Sequence, residues 1–475
     1  METLDYKTIP QPSFQIQKTK LELDPFNMKP DYIGRNKVNF RYPFNQVNSY
    51  LQEEYGMLCK IDIKLQKAKV PAVGSELKLT LDKSGILSCI ENVGIKIGGG
   101  AKVTVEHVNL LSCTMNSIEN DPLYDANAGN LMEATTGGAQ GMALKQNVGA
   151  TTADFIETYA SATCCFQIPF TSLSNTHQNI PLFSKAPIEV EIEFAEGAMV
   201  GSFEYKDTAG AKQVLDDDLN DLVKYSNVRL ESYVIEVSDQ VQKGINDIYG
   251  GIYVLNSTTW SHSTDIAPTG TSTIASLIPI GVKSMKRIFV VHRDNLKIQT
   301  SSRKITEADL DYPLSLGHQI NPKIDHYHFE LDKENHPTQP VKGIQGAVYE
   351  LLRADDKCGK HHNTALGTKG GASENFHFSK NRLENPFSLD LGSSGTPNKS
   401  GYNIGSYVSS MNFETMNFGR TSSILDGVNT NGLNLIYHCK TTAPLAKDVR
   451  LDFFVEHDTQ IVLNMNSTQI FEYYD

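Results

Sequence analysis

Apolar and polar residues alternate along much of this chain with the period of a half-buried β-strand. The alternation is strict in Cys59-Lys60-Ile61-Asp62-Ile63-Lys64-Leu65 and in Ile188-Glu189-Val190-Glu191-Ile192-Glu193-Phe194. It is nearly so in Val449-Arg450-Leu451-Asp452-Phe453-Phe454-Val455, where Phe454 alone breaks the beat. An Ala-Pro pair stands before each of the last two segments, at Ala186-Pro187 and Ala443-Pro444. They lie 261 positions apart (449 minus 188), a spacing that suits one duplicated β-domain of roughly 200–250 residues.

The same pattern places the other elements. Val38–Tyr42, Thr163–Phe170 and Tyr225–Val237 read as strands, and Val93–Ile97 with Lys102–Val105 reads as a hairpin turning at Gly98-Gly99-Gly100. In the second half, strands are predicted at Gly251–Leu255, Met285–His292, Ile324–Leu331, Leu433–Cys439 and 449–455. Helical signals are few: Val108–Leu111 starts one, and Ala347–Ala354 forms another. Each is followed by a long Gly/Asn/Ser/Thr/Ala-rich stretch, 117–160 in one half and 355–400 in the other, expected to be a surface excursion. Residues 1–38, with Pro10, Pro12, Pro25 and Pro30, show no sustained period and are expected to form an arm that orders against a partner. Units at 39–238 and 251–460, a linker at 239–250 and a tail at 461–475 complete the division.

Composition changes little of this. With 475 residues, 39% hydrophobic and 21% charged, the chain has the makings of two or three ordinary globular domains. No apolar run approaches the roughly 20 residues of a spanning helix, and Met1-Glu2-Thr3-Leu4-Asp5 lacks the features of a signal peptide, so cytosolic folding is the expectation. The net charge of −12 argues against wrapping nucleic acid, and the first 50 residues are near neutral. Seven cysteines, at 59, 89, 113, 164, 165, 358 and 439, show no Cys-x-x-Cys pair and read as buried thiols. The sequons at Asn256, Asn398 and Asn466 have no secretory context.

Candidate chemistry is thin. His326-Tyr327-His328 puts two imidazoles on one strand face, as the metal-binding cupin pattern does, but Glu330 comes too soon after it and Glu334 too late. Cys358, His361 and His362 lie close together without a second ligand pair at zinc-finger spacing. Gly98-Gly99-Gly100-Ala101-Lys102 joins two strands and lacks the Ser/Thr of a phosphate-binding loop. His262, Ser263 and Asp265 are residue types used in acyl transfer, at no telling spacing, and Trp260 belongs to no aromatic platform. No catalytic, cofactor-binding or metal site is assigned.

All-β content, long loops and a repeat together point to two tandem eight-stranded jelly rolls with short helices. Ser88–Ile97 with the following helix, Asn179–Leu182, Ser284–Val291, and Ile324–Val348 leading to Glu350-Leu351-Leu352 resemble, in order and spacing, the vertical double jelly-roll major capsid proteins of virophages, Polinton-like viruses, adenoviruses and tectiviruses. The resemblance spans most of 38–460. It implies a virion protein, made and assembled inside a host cell, whose homotrimers form pseudo-hexagonal capsomers of an icosahedral shell. It also implies partners among neighbouring capsomers, penton proteins and minor or cement proteins. No sequence-specific contact with nucleic acid and no enzyme activity are implied, and an internal membrane is left open. In that frame the two long loops become outward towers or clasps, and the arm and tail lock neighbours together at the base. Removing residues 1–38 is then expected to leave soluble trimers that cannot close a shell. Two other readings stand beside it: a two-cupin metal-dependent enzyme, which needs a second histidine-rich strand, and a glycan-binding surface β-protein, which needs an export signal.

Overall fold

The computed structural model describes residues 17–52, 58–65, 75–81, 85–98, 100, 102–119, 143–147, 161–176, 178–182, 187–216, 218–294, 304–305, 320–354, 403–404, 407–414 and 427–464. In the first half the strands are β1 (Gln17–Leu23), β2 (Lys37–Arg41), β3 (Ser49–Leu51), β4 (Leu58–Leu65), β5 (Glu76–Leu81), β6 (Ile90–Ile97) and β7 (Val103–Val105). They continue as β8 (Ala143–Asn147), β9 (Ser161–Gln167), β10 (Ile180–Pro181), β11 (Ile188–Phe194), β12 (Gly201–Lys206) and β13 (Val223–Glu236). The second half contains β14 (Ile252–Ala267), β15 (Thr273–Ile278), β16 (Met285–Asp294), β17 (Ile320–Asn321) and β18 (Ile324–Leu331). It ends with β19 (Glu334–Lys342), β20 (Asn403–Ile404), β21 (Val408–Asn412), β22 (Leu435–Thr441) and β23 (Val449–Asn464). Helices are short: α1 (Val108–Glu119), α2 (Gly197–Val200), α3 (Leu219–Leu222), α4 (Asp239–Tyr249) and α5 (Gly343–Ala354).

Eight strands of each half form two antiparallel sheets with one and the same order. In the first unit β1-β13-β4-β9 faces β2-β11-β6-β7; in the second, β14-β23-β16-β21 faces β15-β22-β18-β19. Numbered within a unit, both read first-eighth-third-sixth over second-seventh-fourth-fifth. That is the jelly-roll order, and the chain is a double jelly roll. Strands β3 and β10 extend the first sheet. In both units the third-to-fourth and fifth-to-sixth connections pair with each other, as β5 with β8 and as β17 with β20, and β12 adds a third strand in the first unit. The two long loops foreseen from composition are these fifth-to-sixth connections, each entered through a helix after the fifth strand.

Three expectations need correction. The chain from Gln17 onward is not a free arm: β1 pairs with β13 over seven residues and is the first strand of the first unit. Tyr32, fully buried, exchanges two backbone hydrogen bonds with Tyr225. Local pattern could not show this, because β1 alternates only weakly and owes its place to β13. Residues 1–16, like 465–475, lie outside the described residues, but Ile461–Asn464 of the presumed tail belong to β23. Second, the stretch 117–160 holds the end of α1 and, in β8, a strand paired with β5. Third, the repeat is real, but its equivalent strands are others than 188–194 and 449–455. Segment 188–194 is the seventh strand of its unit, whereas 449–455 lies in the eighth; the equivalents are β13 and β23, starting 226 positions apart (449 minus 223). A period of two identifies a half-buried strand, not which strand it is.

Sheet burial follows the alternation. Ile61, Ile63 and Leu65 of β4 are fully buried while Lys60, Asp62 and Lys64 look outward. The second unit departs from this in one sheet. There β16 and β23 bury both faces, which is why Ile288-Phe289-Val290-Val291 is continuously apolar and why Phe454 breaks its alternation. Ile288, Val290, Leu451, Phe453 and Val455 fill the second unit's own core. Phe289, Val291 and Phe454 point the other way and join the core of the first unit.

Candidate functional site: the seam between the units

The outer face of β14-β23-β16-β21 is where the two jelly rolls meet, and its residues come in strips. At the centre, Phe289 lies opposite Phe454 in the ladder, and Phe454 lies opposite His262. Trp260 stacks on Phe289 with ring centroids 5.9 Å apart and meets first-unit Phe170 edge-on at 6.1 Å. Arg287 covers Trp260, pairs with buried Glu456, and donates through Nη1 to the Ala354 carbonyl at the end of α5 (2.8 Å). Side-chain bonds to backbone carbonyls close the edge: Asn175 Nδ2 donates to the Thr258 carbonyl at 3.0 Å, and Ser257 Oγ to that of Ser172 at 2.5 Å.

The other end of the seam is ionic. Asp452, wholly buried, accepts from His262 Nε2 (3.1 Å), Arg293 Nε (2.9 Å) and Arg450 Nε (2.8 Å). Arg293 is 1% exposed and spans the seam, donating through Nη2 to the Leu110 carbonyl (3.2 Å) and to Thr114 Oγ1 (3.1 Å) of α1. Against His262 rests the ring of His107 from the first unit, 4.6 Å away and nearly perpendicular, whose Nδ1 lies 2.7 Å from Glu91. Burial opposes the charge on Asp452, but the His262 bond and the two guanidinium groups hold its carboxyl far below the usual carboxylate range. Glu91 behaves likewise: burial works against its charge, and the His107 contact outweighs it. His107 is also opposed by burial, yet Glu91 raises it, whereas burial dominates at His262 and lowers it. A charge network centred on so buried a carboxylate acts as a geometric lock, because each member is costly without the others.

Beneath the same sheet, His292 is completely buried, and burial pushes its imidazole down to about 3. It is therefore neutral in the folded state and an ordinary base when unfolded. For such a base, stability is intact above about pH 6.5 and falls as pH drops from there toward 3, because the unfolded chain binds the proton first. Denaturant unfolding across that window is expected to show a slope that His292→Phe reduces by up to about 1.4 kcal/mol per pH unit; an unchanged slope would refute this role.

The chemical candidates do not converge. His326 Nδ1 contacts neighbouring Asp325 at 2.9 Å, and His328 stacks on His438 at 4.8 Å, while His438 Nε2 contacts Glu330 at 2.9 Å. Among the described residues no three His, Cys, Asp or Glu side chains are grouped to hold a metal. Lys102 pairs with Glu191, and Gly98 takes φ +56° at its turn. Of the acyl-transfer residue types, His262 turns to Asp452 and Asp265 accepts from Ser276, so they serve separate contacts. Cys358, His361 and His362 lie outside the described residues. Cys59, Cys89, Cys113, Cys164 and Cys439 are buried outside any disulfide, and Cys165 is half-buried. Burial pushes Cys89 and Cys164 up, the latter to about 12, which makes them unreactive. No described helix is long and apolar enough to cross a membrane.

No protein-family model matches the chain, and no curated protein matches it in sequence. Solved structures do match. A chain of the Sputnik virophage, from its 3.5 Å cryo-EM structure, superposes with TM-score 0.55 at 11% identity, covering 98% of this chain and 91% of that one. The Faustovirus major capsid protein superposes with TM-score 0.52 at 7% identity, covering 97% and 92%. The fold reached from strand order, a double jelly roll, is thus shared with these two viral chains over nearly their whole length.

Proposed function

We propose that the chain is a major capsid protein whose homotrimers form pseudo-hexagonal capsomers that tile an icosahedral virion shell assembled inside the host cell. The observation that carries this reading is the pair of jelly rolls of identical strand order, joined through a shared core and an ionic lock. Three such chains present six similar wedges in fixed orientation, which is what a hexagonal lattice requires of its tile. Similarity in fold to the Faustovirus major capsid protein over nearly the whole of both chains supports it. In this reading α4 is the linker between units, and neighbouring capsomers, penton and cement proteins are the partners. Nucleic acid is left to other components, in keeping with the charge of −12. The role is mechanical, with no reaction catalysed. Negative-stain images of the purified chain test it: six-cornered particles or closed shells are expected, and compact monomers at every concentration would defeat it.

A further inference from the structure

The seam within the chain has a partly exposed counterpart on the first unit. In the second unit Arg293, the last but one residue of β16, lies opposite Arg450, the second residue of β23. In the first unit Lys64, the last but one residue of β4, lies opposite Lys224, the second residue of β13. The next outward-facing rung carries a carboxylate in both cases: Asp452 opposite Val291, and Asp62 opposite Ser226. A basic pair followed by a carboxylate on the next rung thus recurs in both sheets, with the carboxylate on the eighth strand in one and on the third in the other. One is covered by the first unit. On the other, Lys224 keeps 29% of its side chain exposed with Asp31 at 3.9 Å, Lys64 is half-buried, and Ser226 is buried.

The helices repeat as well. Both α1 and α5 have 12 residues and follow the fifth strand of their unit. Thr114, which Arg293 reaches, is the seventh residue of α1; the seventh residue of α5 is Tyr349, 62% exposed. Leu352, 45% exposed, and Arg353, whose guanidinium lies 5.9 Å from the Tyr349 ring, share that face one turn on. Each unit therefore has a cationic sheet face and a helix face. Inside the chain, the sheet face of the second unit meets the helix of the first.

We propose that the remaining two faces meet between copies: Tyr349, Leu352 and Arg353 on α5 of one chain dock on the β1-β13-β4-β9 face around Lys64, Lys224 and Asp62 of a second. This rests on the capsomer reading and names the surface that would build it. The contact is head-to-tail, so three copies related by rotation close it into a ring. Its chemistry suits a surface that must stay soluble before assembly. Where the internal seam buries Phe289 and Phe454, this one offers lysine stems to cover Leu352 and ammonium groups for the Tyr349 ring. Asp62 already accepts from Thr163 and Asn227, and Arg353 pairs with Glu350 of its own helix, so a contact between them across the interface would be an added one on the carboxylate's remaining lone pairs.

The test mixes two singly substituted chains, Lys64→Cys and Tyr349→Cys, with a short thiol-specific crosslinker, the wild type serving as control for native cysteines. A 64–349 crosslink mapped by peptide mass spectrometry is expected in the mixture and in neither chain alone. In parallel, Tyr349→Asp/Leu352→Asp on the exposed helix face is expected to keep the unfolding midpoint while raising the concentration at which the complex dissociates by about tenfold or more. A wild type that forms trimers, with no such crosslink and with the double variant assembling normally, overturns this interface and leaves the capsomer reading standing. A wild type that stays monomeric removes both.

Discussion

A chain lacking residues 1–38 is expected not to fold into a soluble protein. The deletion removes all of β1, whose seven residues pair with Leu230–Glu236 of β13, and the first two residues of β2, which pair with β11. It also removes Tyr32, packed at 5.9 Å from Phe194, which in turn stacks on Tyr225 at 4.3 Å. Fully buried Val38 goes with them. Losing one aromatic core residue alone costs about 3–5 kcal/mol, a large part of the 5–15 kcal/mol that holds a typical domain together. The bare edge of β13 would meanwhile expose an unpaired row of backbone groups, a template for aggregation. A chain lacking only residues 1–16 is expected to remain soluble and to unfold cooperatively. Soluble yield and thermal unfolding of the two deletions decide the matter, and a folded 39–475 chain would contradict the placement of β1.

The second large effect is expected at Asp452. Replacing it with Ala leaves Arg293, Arg450 and His262 in the seam without their shared counter-charge. Removing one partner of a buried ionic group typically costs about 3–5 kcal/mol. Since the carboxyl is held well below its ordinary range, its stabilisation is present above about pH 4 and is lost only as pH falls through the depressed folded value, so the deficit should be full at neutral pH. Arg293→Met/Asp452→Leu is expected to lose less than Asp452→Ala, because it removes the central charges together. Denaturant midpoints of the three proteins at pH 7 give the comparison. A loss below about 1 kcal/mol in Asp452→Ala would mean that the two units do not depend on this lock.

The sequence carried most of the fold in its local pattern. Strict alternation located β4 and β11, and the helices after the fifth strands were visible from their apolar spacing. Even the seam left a trace: the run Ile288–Val291 and the misplaced Phe454 are what a sheet buried on both faces must show. A single out-of-phase residue, however, does not say what covers it. The ionic lock had no such trace. Arg293 and Asp452 are 159 residues apart, and His262 and Asp452 are 190 apart, so only the strand order brings them together. The same holds for β1, a short weakly alternating segment among prolines whose stability comes from β13. Segments 188–194 and 449–455 look equivalent for a related reason, since half-buried strands are alike until their neighbours are known.

The central claim is that three copies of this chain make one capsomer, and its most direct test is the solution mass of the purified protein by light scattering. A single species at three times 52.6 kDa that persists on dilution is expected. A stable monomer or dimer over the same concentration range would contradict it.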